Sequence, residues 1–111
     1  MSTYIQVQTT VANEKDALAI ATEVVEKRLA GCVQISQCIS LYRWEDKVNQ
    51  DQEFLCTMKS HSKLFNRLEK VVKQIHPYDE PEIIATPILQ GSATYLEWLA
   101  GELQNIDTEK K

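Results

Sequence analysis

The chain has 111 residues, of which 43% are apolar, and a formal net charge of −4. This length and composition fit one domain over residues 1–111 with a sizeable hydrophobic core. The negative charge argues against nucleic acid as a partner, and the absence of a run of 18 apolar residues argues against a membrane span.

The N-terminus and the cysteines bear on cellular location. The first ten residues lack a basic region followed by an apolar stretch, so we expect no secretory signal. The three cysteines, Cys32, Cys38 and Cys56, are odd in number and form no CxxC motif. These features favour free thiols in a reducing cytoplasm.

The first strand and the first helix are predicted by different periodicities. Residues Tyr4 to Thr10 alternate between apolar and polar side chains, as in a half-buried strand. Asn13 is a good helix N-cap, and Gly31 stands where a glycine often closes a helix. We therefore predict a helix from about residue 14 to residue 30. Its predicted buried stripe consists of Leu18, Ala21, Val25 and Leu29, with Val24 beside it.

Residues 32–59 predict a long β-hairpin. Residues Cys32 to Trp44 alternate with period two, the turn centres on Glu45-Asp46, and a return strand leads to Met58. A break in the pattern at residues 37–38 predicts a bulge or a kink. Thirteen strand residues span roughly 43 Å, whereas a compact domain of this size is about 34 Å across. The hairpin should overhang its domain and pair with other copies, unless it bends over its own core.

The second half of the chain predicts a helix, a short strand and another helix. Ser62 is a plausible N-cap for helix two, and His76-Pro77 ends it. Its predicted buried stripe consists of Leu64, Leu68, Val71 or Val72, and Ile75. Residues 83–85 predict a strand, Ser92 caps a third helix, and residues 104–111 are expected to fray. The result is an α+β, ferredoxin-like βαββαβ sandwich with a C-terminal helix, a fold that does not name a function.

Candidate chemistry is limited to a few side chains. The two histidines form no nucleophile–base set with specific spacing, so an enzyme is the least expected class. The Cys32 thiol and the His76 imidazole would suit a metal such as copper, although His76 could simply interact with the carbonyl end of helix two. Trp44, at the hairpin tip, fits either packing between subunits or contact with a ligand.

These segments together resemble the CutA family of divalent-cation tolerance proteins. The resemblance covers nearly the whole chain, and its specific motifs are Tyr-x-Trp-Glu-x-Lys and His-Pro-Tyr-x-x-Pro-Glu. The matching segments are Leu29–Val33, Ser40–Lys47, Met58-Lys59, His76–Ile83, Pro87-Ile88 and Tyr95–Leu99.

The resemblance implies a tight homotrimer made by pairing of the extended hairpins between subunits. The CutA family is similar in architecture to the PII signalling proteins, which bind ligands in clefts between subunits. A corresponding cleft here would gather Cys32, Trp44, Lys59, Tyr78 and Glu82. The resemblance also implies copper(II) or another divalent cation as a ligand. At the three positions that hold copper in some members, this chain has Thr9, Ile75 and His76, so only His76 retains a family ligand.

Two functions follow as expectations from the resemblance. The first is a cytoplasmic, homotrimeric cation-tolerance protein that binds metal weakly, with His76 as the ligand. The second is a PII-like sensor that binds a small anionic metabolite in the cleft between subunits. A scaffold without a ligand is the third possibility.

Overall fold

The computed structural model describes residues 3–105 as an antiparallel sheet with three α-helices. The elements are β1 (Tyr4–Val11), α1 (Glu14–Glu26), β2 (Cys32–Trp44), β3 (Lys47–His61), a 3-10 turn (Ser62–Leu64), α2 (Phe65–Ile75), β4 (Ile84–Pro87) and α3 (Ala93–Glu102). This order confirms the predicted ferredoxin-like arrangement. The segment 104–111 was expected to fray, but Gln104 is held by hydrogen bonds to the carbonyls of Lys27 and Arg28, and residues 106–111 lie outside the described part.

The sheet has the strand order β2-β3-β1-β4, with every neighbouring pair antiparallel. Helices α1 and α2 cover one face, where Ile20 and Leu68 pack with Val7 and Met58 in the main core. A smaller cluster joins α3 to the start of the sheet through Leu64, Leu99, Leu103 and Tyr4. Much of the second sheet face remains open, and it carries half-buried polar residues of β1 and β3.

The β2–β3 hairpin is long and regular, as predicted. Its register runs without interruption from Cys32 opposite Lys59 to Trp44 opposite Lys47, so of the two predicted distortions at residues 37–38 the bulge is wrong. The polar residue Gln37 breaks the apolar pattern because the hairpin leaves the core there, and not because a residue is inserted. The molecule measures 45 × 27 × 24 Å, in agreement with a hairpin that extends beyond its domain.

Both central residues of the hairpin turn, Glu45 and Asp46, have positive φ angles, which are unfavourable for these residue types. Glu45 and Asp46 have φ angles of 52° and 63°. A two-residue hairpin turn of type I′ needs positive φ at both central positions, which is why Asn-Gly is the usual sequence. The turn therefore forms at the predicted position, with two acidic residues in left-handed conformations.

Helix α1 ends at Glu26, four residues earlier than predicted. Arg28 has a φ of 60°, its N–H donates to the carbonyl of Val25, and the N–H of Leu29 donates to the carbonyl of Val24 at 2.9 Å. These bonds form a Schellman motif, in which the left-handed residue is usually glycine. The predicted role of Gly31 is therefore wrong.

Arg28 and Gly31 each have a tertiary role at this corner. The Arg28 guanidinium donates to the carbonyls of Gly101 at 2.7 Å and Glu102 at 3.1 Å, which ties the corner to α3. A Cβ atom on Gly31 would lie 2.5 Å from Leu99 Cδ1. Gly31 thus permits the close approach of α3.

Several local predictions for the helices are also corrected. In α1 the buried side chains are Ala17, Ile20 and Val24, whereas Leu18 and Val25 are exposed. The helix presents to the sheet a face rotated from the predicted one. Of the two other side chains in the predicted stripe, Ala21 is half-buried in α1 and Leu29 is buried beyond the helix end.

The helix caps in the second half match the prediction in part. The N-cap role predicted for Ser62 belongs to His61. The imidazole of His61 accepts the backbone N–H of Lys63 in the 3-10 turn that precedes α2. Ile75 ends α2 as an exposed residue, and His76 is extended before Pro77, as predicted. Ser92 caps α3 by accepting the N–H of Tyr95.

Candidate functional site

Cys32 and Lys59 lie together at the base of the hairpin. They are direct cross-strand partners, so their side chains share one face of the sheet. The ammonium of Lys59 donates to the side-chain oxygen of Gln34 at 2.7 Å. On its other side Lys59 is opposite Gln6 of β1. The strand register therefore places a thiol and a cation next to each other on the open face.

His76 is nearly buried, and both of its ring nitrogens are hydrogen-bonded. Nδ1 accepts the backbone N–H of Tyr78 at 3.1 Å, and Nε2 lies 3.0 Å from the carbonyl oxygen of Thr10. A carbonyl only accepts, so these contacts require a proton on Nε2. Burial lowers the pKa of His76, although the bond to Thr10 and the nearby carboxylates of Asp16 and Glu53 oppose this shift. The ring therefore joins the end of β1 to the segment after α2.

Tyr78 connects that segment to the middle of the hairpin. Its hydroxyl donates to Glu53 Oε2 at 2.7 Å, and Glu53 is only 9% exposed. Burial, together with the bond to Glu53, raises the pKa of Tyr78 above its ordinary value, so the phenol stays protonated and can donate. A charged acceptor strengthens such a bond.

Glu53 also lines a cavity of about 260 Å³ near the middle of the hairpin. The lining residues are Gln37, Cys38, Ile39, Gln52, Glu53 and Phe54. Cys38 is directly opposite Glu53 on the paired strand. Sequence reasoning missed Glu53, because its burial depends on contact with Tyr78, 25 residues away. The sequence offered little signal, since Glu53 ends the polar run Asn49–Glu53 and directly precedes the apolar residues Phe54 and Leu55.

The remaining cleft candidates lie apart from this group within one chain. Trp44 is 61% exposed at the hairpin tip, and the length of β2 from Cys32 puts it about 40 Å away at the usual rise per residue. Glu82 is exposed in the connection that precedes β4. A single chain therefore does not gather Cys32, Trp44, Lys59, Tyr78 and Glu82 into one cleft.

The residues at the three family copper positions do not form a copper site within one chain. Thr9 is fully buried, and its hydroxyl has no hydrogen-bond partner among residues 3–105. Ile75 offers no ligand atom, and both nitrogens of His76 have backbone contacts. In the described part of the chain, no three His, Cys, Asp or Glu side chains cluster as a metal site would require. The ligand role of His76 stays a prediction.

The two other buried titratable groups are Cys56 and His61. Burial raises the pKa of the Cys56 thiol to about 11, so it stays protonated in the core. Burial, with the nearby Lys63 charge, lowers the pKa of His61. Its ring meets Tyr4 edge to face, with centroids 4.9 Å apart. Cys56 therefore serves packing, and His61 both packs against Tyr4 and caps the turn before α2.

No helix within residues 3–105 combines the length and the apolar character that crossing a membrane requires.

Comparison with known proteins gives one consistent result. The family model described as CutA1 divalent ion tolerance protein matches residues 5–102. Divalent-cation tolerance protein CutA of Thermus thermophilus is 46% identical over 91 residues, which are 81% of this chain and 88% of that protein. Human Protein CutA is also 46% identical over 91 residues, but this chain covers only 51% of its length.

Solved structures agree over most of the chain. The Thermus thermophilus divalent cation tolerance protein superposes with a TM-score of 0.88 at 42% identity, covering 91% of this chain and 99% of that one. CutA1 from Oryza sativa superposes with a TM-score of 0.90 at 38% identity, covering 93% and 95% of the two chains.

Proposed function

Because the chain belongs to the CutA1 divalent ion tolerance family, we propose that it is a cytoplasmic, homotrimeric protein that confers tolerance to divalent cations without catalysing a reaction. The match to the family is the observation that supports the tolerance function. The hairpin supports the oligomer, and the geometry at His76 supports weak metal binding.

The outer half of the hairpin supports assembly. Ile39, Leu41, Trp44 and Val48 are each more than half exposed there. This half has little of its own domain beneath it, and β2 is an edge strand with free backbone groups. Pairing with other copies would bury the apolar side chains and complete the edge.

Sedimentation equilibrium of matched variants tests this assembly. We expect a trimer for the unmodified chain and for Leu89→Glu, which alters an exposed leucine outside the hairpin. We expect Leu41→Glu to dissociate, since it would bury a charge between subunits. A monomeric unmodified chain, or equal behaviour of the two variants, would refute the hairpin interface.

Metal binding by His76 would be weak for a geometric reason. A copper ion on Nε2 would replace the bond to Thr10, and one on Nδ1 would replace the bond to the Tyr78 N–H. Each replacement costs one hydrogen bond of a nearly buried ring. We therefore expect weak copper(II) binding that depends on His76.

A copper competition titration on reduced, metal-free protein tests this role, with the unmodified chain and His76→Ala compared at one concentration. Equal affinities in the two proteins would exclude His76 as the ligand. Cys32→Ser, a half-exposed position on the open face, tests whether the thiol contributes instead.

The second candidate function is a PII-like sensor of small anionic metabolites. It is favoured by the position of Lys59, whose ammonium meets a neutral amide on the open face. Because Trp44 is distant in the same chain, the proposed cleft would combine Trp44 of one subunit with Cys32 and Lys59 of another. Thermal-shift screening with nucleotides and metabolites tests this function. A ligand-induced shift that persists in Lys59→Gln or Trp44→Ala would place the ligand elsewhere.

A further inference from the structure

A second cavity, shallow and largely open to solvent, has a volume of about 340 Å³ and lies at the helical layer, away from the hairpin. Its lining residues are Lys27, Leu29, Arg67, Lys70, Val71 and Gln104. They come from the end of α1, from α2 and from the segment after α3. Three of the six are cationic and none is acidic, although the whole chain carries a net charge of −4.

Hydrogen bonds hold one wall of this basic cavity in place. The backbone N–H of Gln104 donates to the carbonyl of Arg28 at 2.8 Å, and its side-chain amide donates to the carbonyl of Lys27 at 2.8 Å. The Arg67 guanidinium donates to the side-chain oxygen of Gln104. Arg67 is thus oriented beside the cavity before any ligand arrives, which reduces the ordering cost of binding.

The lysines around the cavity differ in how they are neutralised. Lys27 pairs with Glu23 at 3.3 Å, but both side chains are well exposed, so the pair is weak. Lys70 makes no ion pair with any residue in the described range. Lys73, one turn further along α2, pairs with Glu69 and does not line the cavity. Positive charge is therefore concentrated at the cavity side of α2.

The floor of the cavity is apolar. Leu29 is almost fully buried and Val71 is half-buried. The volume lies near the lower end of the range for small-molecule sites, about 300–1,000 Å³. A fitting ligand is therefore compact, with an apolar body and an anionic group.

We propose that this cavity binds a small phosphomonoester with a compact apolar body. The planar guanidinium of Arg67 suits the oxygens of a phosphate. Lys70 and Lys27 supply further donors and charge at the mouth, and the apolar body lies on Leu29 and Val71. This site uses none of the residues assigned to cation tolerance or to the cleft between subunits.

Phenyl phosphate is the probe for this proposal, titrated into the full chain by calorimetry and by NMR. We expect saturable binding, with shifts confined to the Gln104 side-chain amide and the methyl groups of Leu29 and Val71. Inorganic phosphate should bind more weakly, because it lacks the apolar body, and benzyl alcohol should not bind. Equal affinity for phenyl phosphate and inorganic phosphate would overturn the apolar floor as a recognition element.

Two lysine variants of α2 provide the matched control. Lys70→Gln should weaken phenyl phosphate binding roughly five- to tenfold, the value of one charge-assisted hydrogen bond at a partly exposed site. Lys73→Gln removes the same charge outside the cavity and should change the affinity less than about twofold, as expected for a screened surface charge. Equal losses in the two variants, or shifts outside the cavity, would overturn the proposal.

Discussion

The bond between Tyr78 and Glu53 yields the sharpest test of how the hairpin is held. Tyr78→Phe removes only the hydroxyl that lies 2.7 Å from Glu53 Oε2. It leaves the carboxylate of a residue that is 9% exposed without this donor. Hydrogen bonds to charged groups contribute about 1.5–3 kcal/mol. Because Tyr78 is itself 36% exposed, we expect a loss near the lower end, about 1.5 kcal/mol per protomer.

The assay is urea denaturation at pH 7.5 and one protein concentration, since oligomer stability depends on concentration. Tyr42→Phe is the matched control. Tyr42 also donates to a carboxylate of β3, Asp51, but this pair is exposed, so its loss should cost less than about 0.5 kcal/mol. A double-mutant cycle of Tyr78→Phe with Glu53→Gln should give a coupling of about 1 kcal/mol.

Two results would refute this reasoning. One is an equal loss in Tyr78→Phe and Tyr42→Phe, and the other is a coupling below about 0.3 kcal/mol, within the error of additivity. The pH dependence is a further check. The pKa of Tyr78 is raised above its ordinary value of 10.0. Its contribution is therefore fully present below pH 10 and is lost as the pH rises further, whereas Tyr78→Phe lacks this component.

Three further predictions concern other parts of the fold. Burial lowers the pKa of His61 and His76 below 6.5. As the pH falls, these two imidazoles therefore bind protons in the unfolded chain before they do so in the folded protein. The free energy of unfolding in urea should be at its full value above pH 6.5 and should decrease below it, by up to about 1.4 kcal/mol per pH unit for each ring. Arg28→Gly and Arg28→Ala both lose the bonds to α3, but only glycine relieves the positive φ. The free energy of unfolding of the glycine variant, measured in urea, should exceed that of the alanine variant by about 1 kcal/mol. Equal urea midpoints for the two variants would contradict backbone strain at Arg28. The thiol of Cys56, fully buried with a pKa of about 11, should resist Ellman's reagent at pH 8 until the protein unfolds, while the other two cysteines react.

The sequence predicted the hairpin well because its signals are local. Residues 32–76 contain neither glycine nor proline, so strand periodicity and the polar turn pair determined its limits and its overhang. The same local reasoning failed at the end of α1. There an arginine takes the left-handed position, because its side chain gains two carbonyl partners in α3, more than 70 residues away. Residue propensities include the conformational cost of a left-handed arginine, but they contain no information about partners this far away in the sequence.

The residues of the candidate site came from the family resemblance, whereas their pairing comes from the structure. Cys32 lies opposite Lys59 because the strands pair without a bulge about a turn at residues 45–46, and the sequence alone left this register open. The partners of His76 are different, because they are backbone groups of Thr10 and Tyr78. Contacts to backbone atoms cannot be predicted from a pattern of side chains. The burial of Glu53 was not predicted for a related reason, since its donor Tyr78 lies in a connection whose path depends on the whole fold.

The strand order has a consequence for how the chain reaches this structure. The hairpin strands meet across a two-residue turn, whereas β1 meets β4 with Ile5 opposite Pro87. The second pairing closes a loop of about 80 residues, and the entropy of such a closure must be offset before its contacts form. The hairpin can therefore assemble while the chain is still being synthesised. The edge strand β4 can join only after most of the chain has emerged, and until then β1 offers a free edge to its neighbours.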